Sequence, residues 1–433
     1  MSLLSLNPTK ALQLFQLVRY ASLLLIGVLF AQFGLSTYDI GIYESLIFLA
    51  SLLSFFWLSG VTQGVLSIYR EGENDRTVIG SAFFSLIIMS LISGLAFKVL
   101  LTPYSIMANN PEVLYFGAPI FWFMLLSGPA FMAEYILLIK KKSKMLAVYA
   151  LVSYPIQVGL VVVPVILGNG LEQALNGLVY AAGFRFIIAL ALVLKHGSLS
   201  IQVNTIKELL SVSWPLILGT LLSGSAEYID GMIVSRYFDE TTFAIYRYGA
   251  KEFPLFILMA AAFSNAKINE VARSQDLNAT AIQLRKGASD MMKWFFPIAI
   301  MLTVLSPWLF EHFFNSDFTQ SAFVFNAYLL TLASRMMFPQ TLLIGRGFTR
   351  IVMNVGMMEI GLNLVLSLIL VTQFGILGIA YASVIAFVFE KVALSIQVKR
   401  RLNISPSQII PARPLMCWSA LLIAAHLGTY YFW

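Results

Sequence analysis

The stretch FAIYRYGAKEFPLFILMAAAF, from Phe243 to Phe263, decides how the rest of the chain is interpreted. It is long and apolar enough to cross a bilayer, which takes about 20 residues, yet it contains Arg247 and Lys251. A Lys or Arg at the centre of a membrane helix costs about 2.5–3.5 kcal/mol on insertion scales, so such residues usually face a wet cavity, a partner charge or a substrate. Residues four apart share one helix face. The stretch therefore predicts a membrane helix with a cationic face.

Composition places the whole chain in the same class. Of its 433 residues, 59% are hydrophobic and only 11% are charged, and the mean hydropathy is +0.83. These values predict a polytopic helical membrane protein. The single cysteine, Cys417, excludes an intramolecular disulfide and a cysteine metal cluster. The chain has no GxxxxGK[ST] phosphate loop and no HExxH motif, which argues against ATP hydrolysis and zinc chemistry.

Hydropathy predicts thirteen membrane spans, arranged as two six-helix bundles and one further helix. The first six spans lie near residues 12–32, 40–66, 78–101, 112–139, 145–167 and 172–194. The second six lie near residues 209–235, 241–264, 288–310, 320–344, 351–373 and 375–397. The thirteenth covers residues 414–433, for which a helix lying in the membrane interface is the alternative.

The spans divide the chain into four regions. These are an N-terminal bundle, a cytosolic connector, a C-terminal bundle, and a basic loop with the extra helix, at residues 1–195, 196–208, 209–398 and 399–433. With the N-terminus in the cytosol, 19 of the 28 Lys and Arg residues fall in cytosolic loops and only Arg236 falls in an outer loop. The positive-inside rule therefore supports both the span count and this orientation. The longest segment predicted to lie in water is Asn265–Gly287.

Two sequence echoes indicate that the halves are repeats. LSTYDIGIYE (Leu35–Glu44) matches FDETTFAIYR (Phe238–Arg247) at an offset of 203 residues, and NGLVYA (Asn176–Ala181) matches LGIAYA (Leu377–Ala382) at an offset of 201. Duplication of a unit with an even number of helices keeps its orientation. We therefore expect parallel repeats, with a substrate site between them.

Five cations inside the predicted spans are the candidate substrate-binding residues: Arg19, Arg185, Arg247, Lys251 and Arg335. If they face a common cavity, they form a positive path through the bilayer. Such a path suits an anion such as a phosphate or diphosphate. The alternative is that each cation is neutralised by a neighbouring helix.

Three acidic residues are candidate partners for those cations. Glu227 and Asp230 lie three apart on span 7, at a depth similar to that of Arg247 and Lys251. Glu44 occupies the position in the first repeat that Arg247 occupies in the second, and we expect it to form a structural ion pair.

Two further acids are candidates for coupling. Glu359 on span 11 and Glu390 on span 12 are predicted to be buried, where either suits Na⁺ or a proton, although Glu390 also adjoins Lys391. Lys98 and Glu134 lie near span ends, where snorkelling to the interface explains them.

These features resemble a known family. GIYE at residues 41–44, AIYR at residues 244–247 and the loop FSNAKINEVARSQD at residues 263–276 look like the polysaccharide transporter branch of the multidrug/oligosaccharidyl-lipid/polysaccharide exporter superfamily. The resemblance covers residues 10–400 and implies a V-shaped pair of bundles that flips undecaprenyl-diphosphate-linked oligosaccharide. In the related lipid II flippases, arginines of the first and eighth helices serve the diphosphate, and by position these correspond to Arg19 and Arg247. A thirteenth helix departs from the twelve or fourteen usual in that superfamily.

The leading hypothesis is an oligosaccharide flippase of the bacterial inner membrane that works by alternating access, with no enzymatic activity. Arg19 and Arg247 hold the diphosphate, and Arg185, Lys251 and Arg335 support them. No resident cofactor or metal is expected, with Na⁺ or H⁺ as the candidate coupling ion. The expected partners are membrane lipids and polysaccharide-assembly enzymes, around a monomer that binds no nucleic acid. A multidrug/cation antiporter of the same fold is the main alternative, followed by a membrane glycosyltransferase or polymerase.

Overall fold

The protein is a multi-pass, all-helical membrane protein. The computed structural model describes residues 8–72, 75–198, 202–251 and 253–433, and helices are the only regular elements in those ranges. In the described ranges, eleven helical segments are long and apolar enough to cross a membrane, and one of them, Pro111–Ile139, consists of consecutive shorter helices. Two bent helix pairs pass the same test. The predicted fold class is confirmed, including a thirteenth helix. Parts of the predicted N-terminal bundle (1–7 and 73–74), of the connector (199–201) and of the C-terminal bundle (252) lie outside the described residues.

Contacts group the helices into two compact units, and the first comprises Met1–Gly224 and Ser235–Ala244. Its large buried side chains include Phe15, Trp57 and Phe83. Its helices, with the ninth continuing into the second unit, are α1 (Pro8–Gln32), α2 (Thr37–Leu52), α3 (Phe55–Ile68), α4 (Asp75–Met107), α5 (Gly117–Ala130), α6 (Met132–Ile139), α7 (Ser143–Ile166), α8 (Gly170–His196) and α9 (Val203–Tyr237).

The second unit comprises Ser225–Val234 and Ile245–Trp433. Phe256, Phe296 and Leu342 are among its buried core residues. Its helices, the first of which begins in the other unit, are α10 (Glu240–Gly249), α11 (Pro254–Arg273), α12 (Leu277–Phe313), α13 (Thr319–Leu329), α14 (Leu332–Arg335), α15 (Pro339–Gly345), α16 (Thr349–Phe374), α17 (Ile376–Leu402), α18 (Pro406–Ile409) and α19 (Ala412–Phe432). The four region boundaries given above remain predictions.

The second predicted span is a bent pair rather than one helix, because α2 and α3 meet at 48°. Side chains bind the carbonyls that the bend exposes. Ser54 Oγ donates to the Ala50 carbonyl at 2.7 Å, while Trp57 Nε1 and Ser93 Oγ donate to the Leu53 carbonyl at 2.9 and 3.0 Å. Serine side chains compete in this way with backbone hydrogen bonds and bend helices.

A cavity of about 40 Å³ lies beside this bend. Its lining includes the side chains of Ser51, Ser90 and Ser127, from α2, α4 and α5. Ser90 Oγ is buried and has no hydrogen-bond partner among the described residues. The size and the hydroxyl lining suit a water molecule, which needs two to four polar partners.

The eighth predicted span is broken, which corrects the continuous helix predicted over residues 241–264. α10 ends at Gly249, and α11 begins at Pro254, which occupies the first turn of that helix. Proline disfavours the helical conformation of the residue before it, so the break has a local cause. Lys251 lies in the break. The prediction that Arg247 and Lys251 share one helix face is therefore wrong.

The segment predicted as a long aqueous loop, Asn265–Gly287, is mostly helical. α11 continues to Arg273 and α12 begins at Leu277, so only three residues separate the two helices. Asp276 caps α12 by accepting from the backbone N–H groups of Asn278 and Ala279, a standard arrangement at helix N-termini. The loop is thus a short turn between two helices.

The thirteenth helix, α19, packs inside the second unit through polar and aromatic contacts. The Tyr381 hydroxyl lies 2.8 Å from His426 Nε2, and Trp418 stacks on Phe296 with ring centroids 6.1 Å apart. Thr429 Oγ1 lies 3.3 Å from a backbone carbonyl of α12. These contacts to neighbouring helices fix α19 as an integral part of the unit.

Candidate functional site

Two of the predicted binding cations come together in the first unit. Arg19 on α1 lies over the ring of Phe131, with the guanidinium carbon 4.9 Å from the ring centroid. Arg185 on α8 lies over the ring of Tyr154 at 5.4 Å. Phe15, one turn before Arg19, contacts Tyr154 edge-on at 5.5 Å. Aromatic faces attract guanidinium groups, so rings from α6, α7 and their flanking residues hold both arginines in place.

One acidic residue, Glu134, is within electrostatic reach of these arginines. Glu134, near the start of α6, is half-buried, and the charges of both Arg19 and Arg185 act on it. Among the described residues, neither arginine forms a direct ion pair with it. We call Arg19, Arg185, Glu134 and Tyr154 the arginine cluster. Snorkelling of Glu134 at a span end stays a prediction.

The second unit contains a buried carboxylate with neutral donors. Asp230 on α9 is 2% exposed. It accepts hydrogen bonds from Ser383 Oγ at 2.6 Å, the Tyr328 hydroxyl at 3.2 Å and Ser367 Oγ at 3.4 Å. Among the described residues it has no ion pair, so the predicted pairing of Asp230 with Arg247 or Lys251 is wrong. We call Asp230 and these three hydroxyl residues the Asp230 network.

Further polar groups extend the Asp230 network. Asn363 Nδ2 donates to Ser383 Oγ at 3.0 Å, and the hydroxyls of Tyr246 and Tyr328 lie 2.6 Å apart. Glu359 lies one turn before Asn363 on α16 and is 7% exposed. Its Oε1 atom and the Asn363 Oδ1 atom have no hydrogen-bond partner in the described part of the chain. These two oxygen atoms are therefore available to a cation or a proton.

The remaining predicted cations lie in the second unit. Arg247 Nη1 donates to Glu227 Oε1 at 3.1 Å, with the Glu227 side chain 68% exposed. Lys251 lies over the Tyr248 ring at 4.2 Å, and Arg335 lies over the Phe387 ring, with its guanidinium carbon 5.5 Å from the centroid. Arg247 is thus held by one of its two candidate acidic partners.

The other candidate acids are Glu44 in the first unit and Glu390 in the second. Glu44 on α2 is buried, with 7% of its surface exposed. Glu390 forms an ion pair with its neighbour Lys391 at 2.8 Å. Such a pair is the alternative to ion coupling that the sequence suggested for Glu390. Lys98 on α4, which was predicted to snorkel to the interface, lies over the Phe121 ring at 4.2 Å. No group of three or more His, Cys, Asp or Glu side chains suited to a metal ion occurs in the part of the chain that the structure describes.

A tight helix contact lies at the start of α10. Ser45 Oγ on α2 donates to Glu240 Oε2, and an added Cβ at Gly41 would come within 2.0 Å of the Glu240 carbonyl oxygen. Glycine is required here because the two backbones approach so closely. Burial raises the pKa of the Glu240 carboxyl, and the hydrogen bond from Ser45 opposes that change.

Comparisons with known families agree with this architecture. The family described as "Polysaccharide biosynthesis protein" matches residues 29–322, and the chain belongs to that family. A search of curated proteins finds no match.

Solved structures share the fold at low sequence identity. The lipid II flippase MurJ in an inward-closed conformation matches with a TM-score of 0.73 and 17% identity, over 97% of this chain and 93% of that one. An inward-facing multidrug resistance MATE transporter of the MOP superfamily matches at 0.59 and 14%, over 92% and 98%. A MOP transporter from Pyrococcus furiosus, described as having a binding pocket of reversed polarity, matches at 0.55 and 15%, over 93% and 97%. The chain therefore has the fold of this transporter superfamily.

Proposed function

We propose that the protein is a flippase that moves undecaprenyl-diphosphate-linked oligosaccharide across the membrane by alternating access. The observation that carries this proposal is the arginine cluster, in which Arg19 and Arg185 stand beside one carboxylate within the spans α1 and α8. Two guanidinium groups bind phosphate oxygens through charge-assisted hydrogen bonds. Family membership in polysaccharide biosynthesis and the fold shared with a lipid II flippase support the same substrate class.

The charge of such a substrate sets the direction of transport. The membrane potential contributes about 2.3 kcal/mol per charge per 100 mV and is negative inside. It therefore drives a diphosphate outward once the arginine cluster shields it from the bilayer. Placed in the bacterial inner membrane with a cytosolic N-terminus, the protein would export O-antigen or another surface polysaccharide unit, as a monomer working with polysaccharide-assembly enzymes.

The Asp230 network supports ion coupling as part of this proposal. A buried carboxylate is costly unless it is neutralised or paired, and its donors among the described residues are all neutral hydroxyls. Na⁺ or a proton bound at Asp230 supplies the missing positive charge. Its return inward would then restore the conformation that accepts substrate.

Reconstituted vesicles test the substrate class. We expect Arg19→Ala and Arg185→Ala each to slow flipping of a fluorescent lipid-diphosphate oligosaccharide about tenfold or more, because hydrogen bonds to charged groups contribute roughly 1.5–3 kcal/mol. The Lys variants should keep part of the activity. Lys98→Ala is the matched control, since Lys98 also lies over an aromatic ring within a span but outside the cluster. Equal loss in all three Ala variants contradicts the proposal.

A cation antiporter is the second candidate, and the buried Asp230 carboxylate is the observation that favours it. An antiporter of this kind binds organic cations at acidic side chains. Binding of a cationic dye such as ethidium that requires an intact Asp230, with no binding of lipid diphosphate, would favour the antiporter over the flippase. If the protein is instead a membrane glycosyltransferase, it should transfer sugar to an acceptor.

A further inference from the structure

We propose that Lys142 and His196 form a binding site for the phosphate group of an anionic membrane phospholipid such as phosphatidylglycerol. The two side chains meet in the first unit, where the turn between α6 and α7 lies against the end of α8. This place is separate from the arginine cluster, because His196 follows Arg185 by eleven residues on α8, about 16 Å along the helix axis. Binding of the lipid does not depend on which substrate the protein transports.

Lys142 and His196 are two basic side chains in direct contact. Lys142 Nζ lies 3.0 Å from His196 Nε2, and both side chains are half-buried. A lysine ammonium has only donors, so Lys142 donates and His196 accepts as a neutral ring. In the part of the chain that the structure describes, no acidic side chain pairs with either residue. The ammonium therefore has a neutral acceptor where a charged one would bind it more strongly.

A phosphate group satisfies both side chains at once. Its oxygens accept from the Lys142 ammonium through charge-assisted hydrogen bonds, which are stronger than those between neutral groups. His196 can then take the tautomer with a proton on Nε2 and donate to a second oxygen. Three more lysines lie close in sequence and add positive charge, and clusters of this kind beside membrane helices bind anionic headgroups. They are Lys140, Lys144 and Lys195.

The position of the pair favours a lipid over a free phosphate ion. Two candidate spans end at Ile139 and at His196, so the pair lies at the depth of the headgroups. On α7, Val148 and Leu151 follow the exposed Lys144 by four and seven residues and are 52% and 46% exposed. Residues at these spacings share one helix face. A phospholipid can therefore place its phosphate at the pair and an acyl chain along α7.

Lys141, in the same turn, provides a matched control. Its Nζ atom pairs with Glu71 Oε2 at 3.3 Å, and the two side chains are 74% and 65% exposed. We expect Lys142→Gln to weaken binding of phosphatidylglycerol about tenfold or more, because it removes a hydrogen bond from a charged donor. His196→Leu removes a neutral donor and should weaken binding about fivefold. Lys141→Gln deletes the same charge as Lys142→Gln, one residue away, and should weaken binding less than about threefold.

Native mass spectrometry of the full-length protein in detergent, titrated with phosphatidylglycerol, measures this binding. Phosphatidylethanolamine, which has no net charge, should bind more weakly, and Lys142→Arg should retain most of the binding because it keeps a charged donor. Equal losses in Lys142→Gln and Lys141→Gln would mean that diffuse charge attracts the lipid, and would overturn the site. Equal binding of the two lipids, or displacement of phosphatidylglycerol by an equal concentration of inorganic phosphate, would also overturn it.

Discussion

Replacing Asp230 by asparagine should remove the dependence of protein stability on Na⁺. Asp230 accepts hydrogen bonds from Ser383, Tyr328 and Ser367, and Asn363 adds an amide oxygen with no partner in the described residues. These oxygens suit a hard monovalent cation. The isosteric change Asp230→Asn keeps the volume of the side chain and deletes the charge that holds the ion.

The size of the effect follows from mass action. A ligand that binds only the folded protein stabilises it by about 2.7 kcal/mol at a hundredfold excess over its Kd, and by about 1.4 kcal/mol for each further tenfold increase. The unaltered protein should show this slope against the logarithm of Na⁺ concentration. Asp230→Asn should show no slope. If the occupant is a proton, the unaltered protein shows a pH dependence instead, and Asp230→Asn again removes it.

Unfolding in detergent, with NaCl replaced stepwise by choline chloride at constant ionic strength, measures the slope directly. Asp290→Asn is the control, because Asp290 on α12 is an exposed carboxylate paired with Lys293 at 2.7 Å. Parallel slopes for the unaltered protein, Asp230→Asn and Asp290→Asn would show that Na⁺ acts elsewhere. Slopes of zero against both Na⁺ and pH in the unaltered protein would refute the reasoning from the Asp230 network.

Three further predictions concern packing, pH and charge. Gly41→Ala should destabilise the protein by about 1–3 kcal/mol in chemical unfolding, because the added Cβ would lie 2.0 Å from the Glu240 carbonyl oxygen. The control Gly159→Ala should be neutral or stabilising, because its Cβ would have no neighbour within 4 Å. Since burial raises the pKa of Glu240, the folded state retains a proton that the unfolded chain loses. Stability should therefore decline as pH rises from about 4.3, the unfolded value, and level off above the folded pKa, and Glu240→Gln should abolish this decline in a pH series. Loss of the ion pair with Glu227 in Arg247→Ala should lower the unfolding stability by less than about 1 kcal/mol, because the Glu227 side chain is 68% exposed. Flipping assays should nevertheless show export abolished in Arg247→Ala and partly kept in Arg247→Lys, and equal activity of the two would remove its diphosphate role.

Hydropathy alone predicts the thirteen spans, because each needs about 20 apolar residues whatever its neighbours are. The breaks within spans depend on local chemistry. Pro254 and Gly249 bracket the break that contains Lys251, so that signal was present in the sequence. The bend between α2 and α3 has no proline or glycine at its centre and depends on Ser54, whose hydroxyl binds the Ala50 carbonyl.

The charged residues were harder to assign than the spans. Sequence position gives depth in the membrane but not which helices are neighbours. Glu134 looked like a span-end residue, and only the packing of α1, α6 and α8 reveals its two cationic neighbours. Asp230 looked like a partner for Arg247, because the two are close in sequence and depth, yet it faces the hydroxyls of α13, α16 and α17. Glu227, three residues earlier on α9 and 68% exposed, pairs with Arg247 instead.

The helix α12 is longer than the hydrocarbon core of a bilayer is thick. Its 37 residues make a rod of about 55 Å at 1.5 Å per residue, against a hydrocarbon core of about 30 Å. Roughly 25 Å of it therefore stands in headgroups or water. An antibody fragment or a label attached near Leu277 would bind one end of a helix whose remaining residues pass through the second unit. Motion of buried residues thus becomes measurable from the aqueous side.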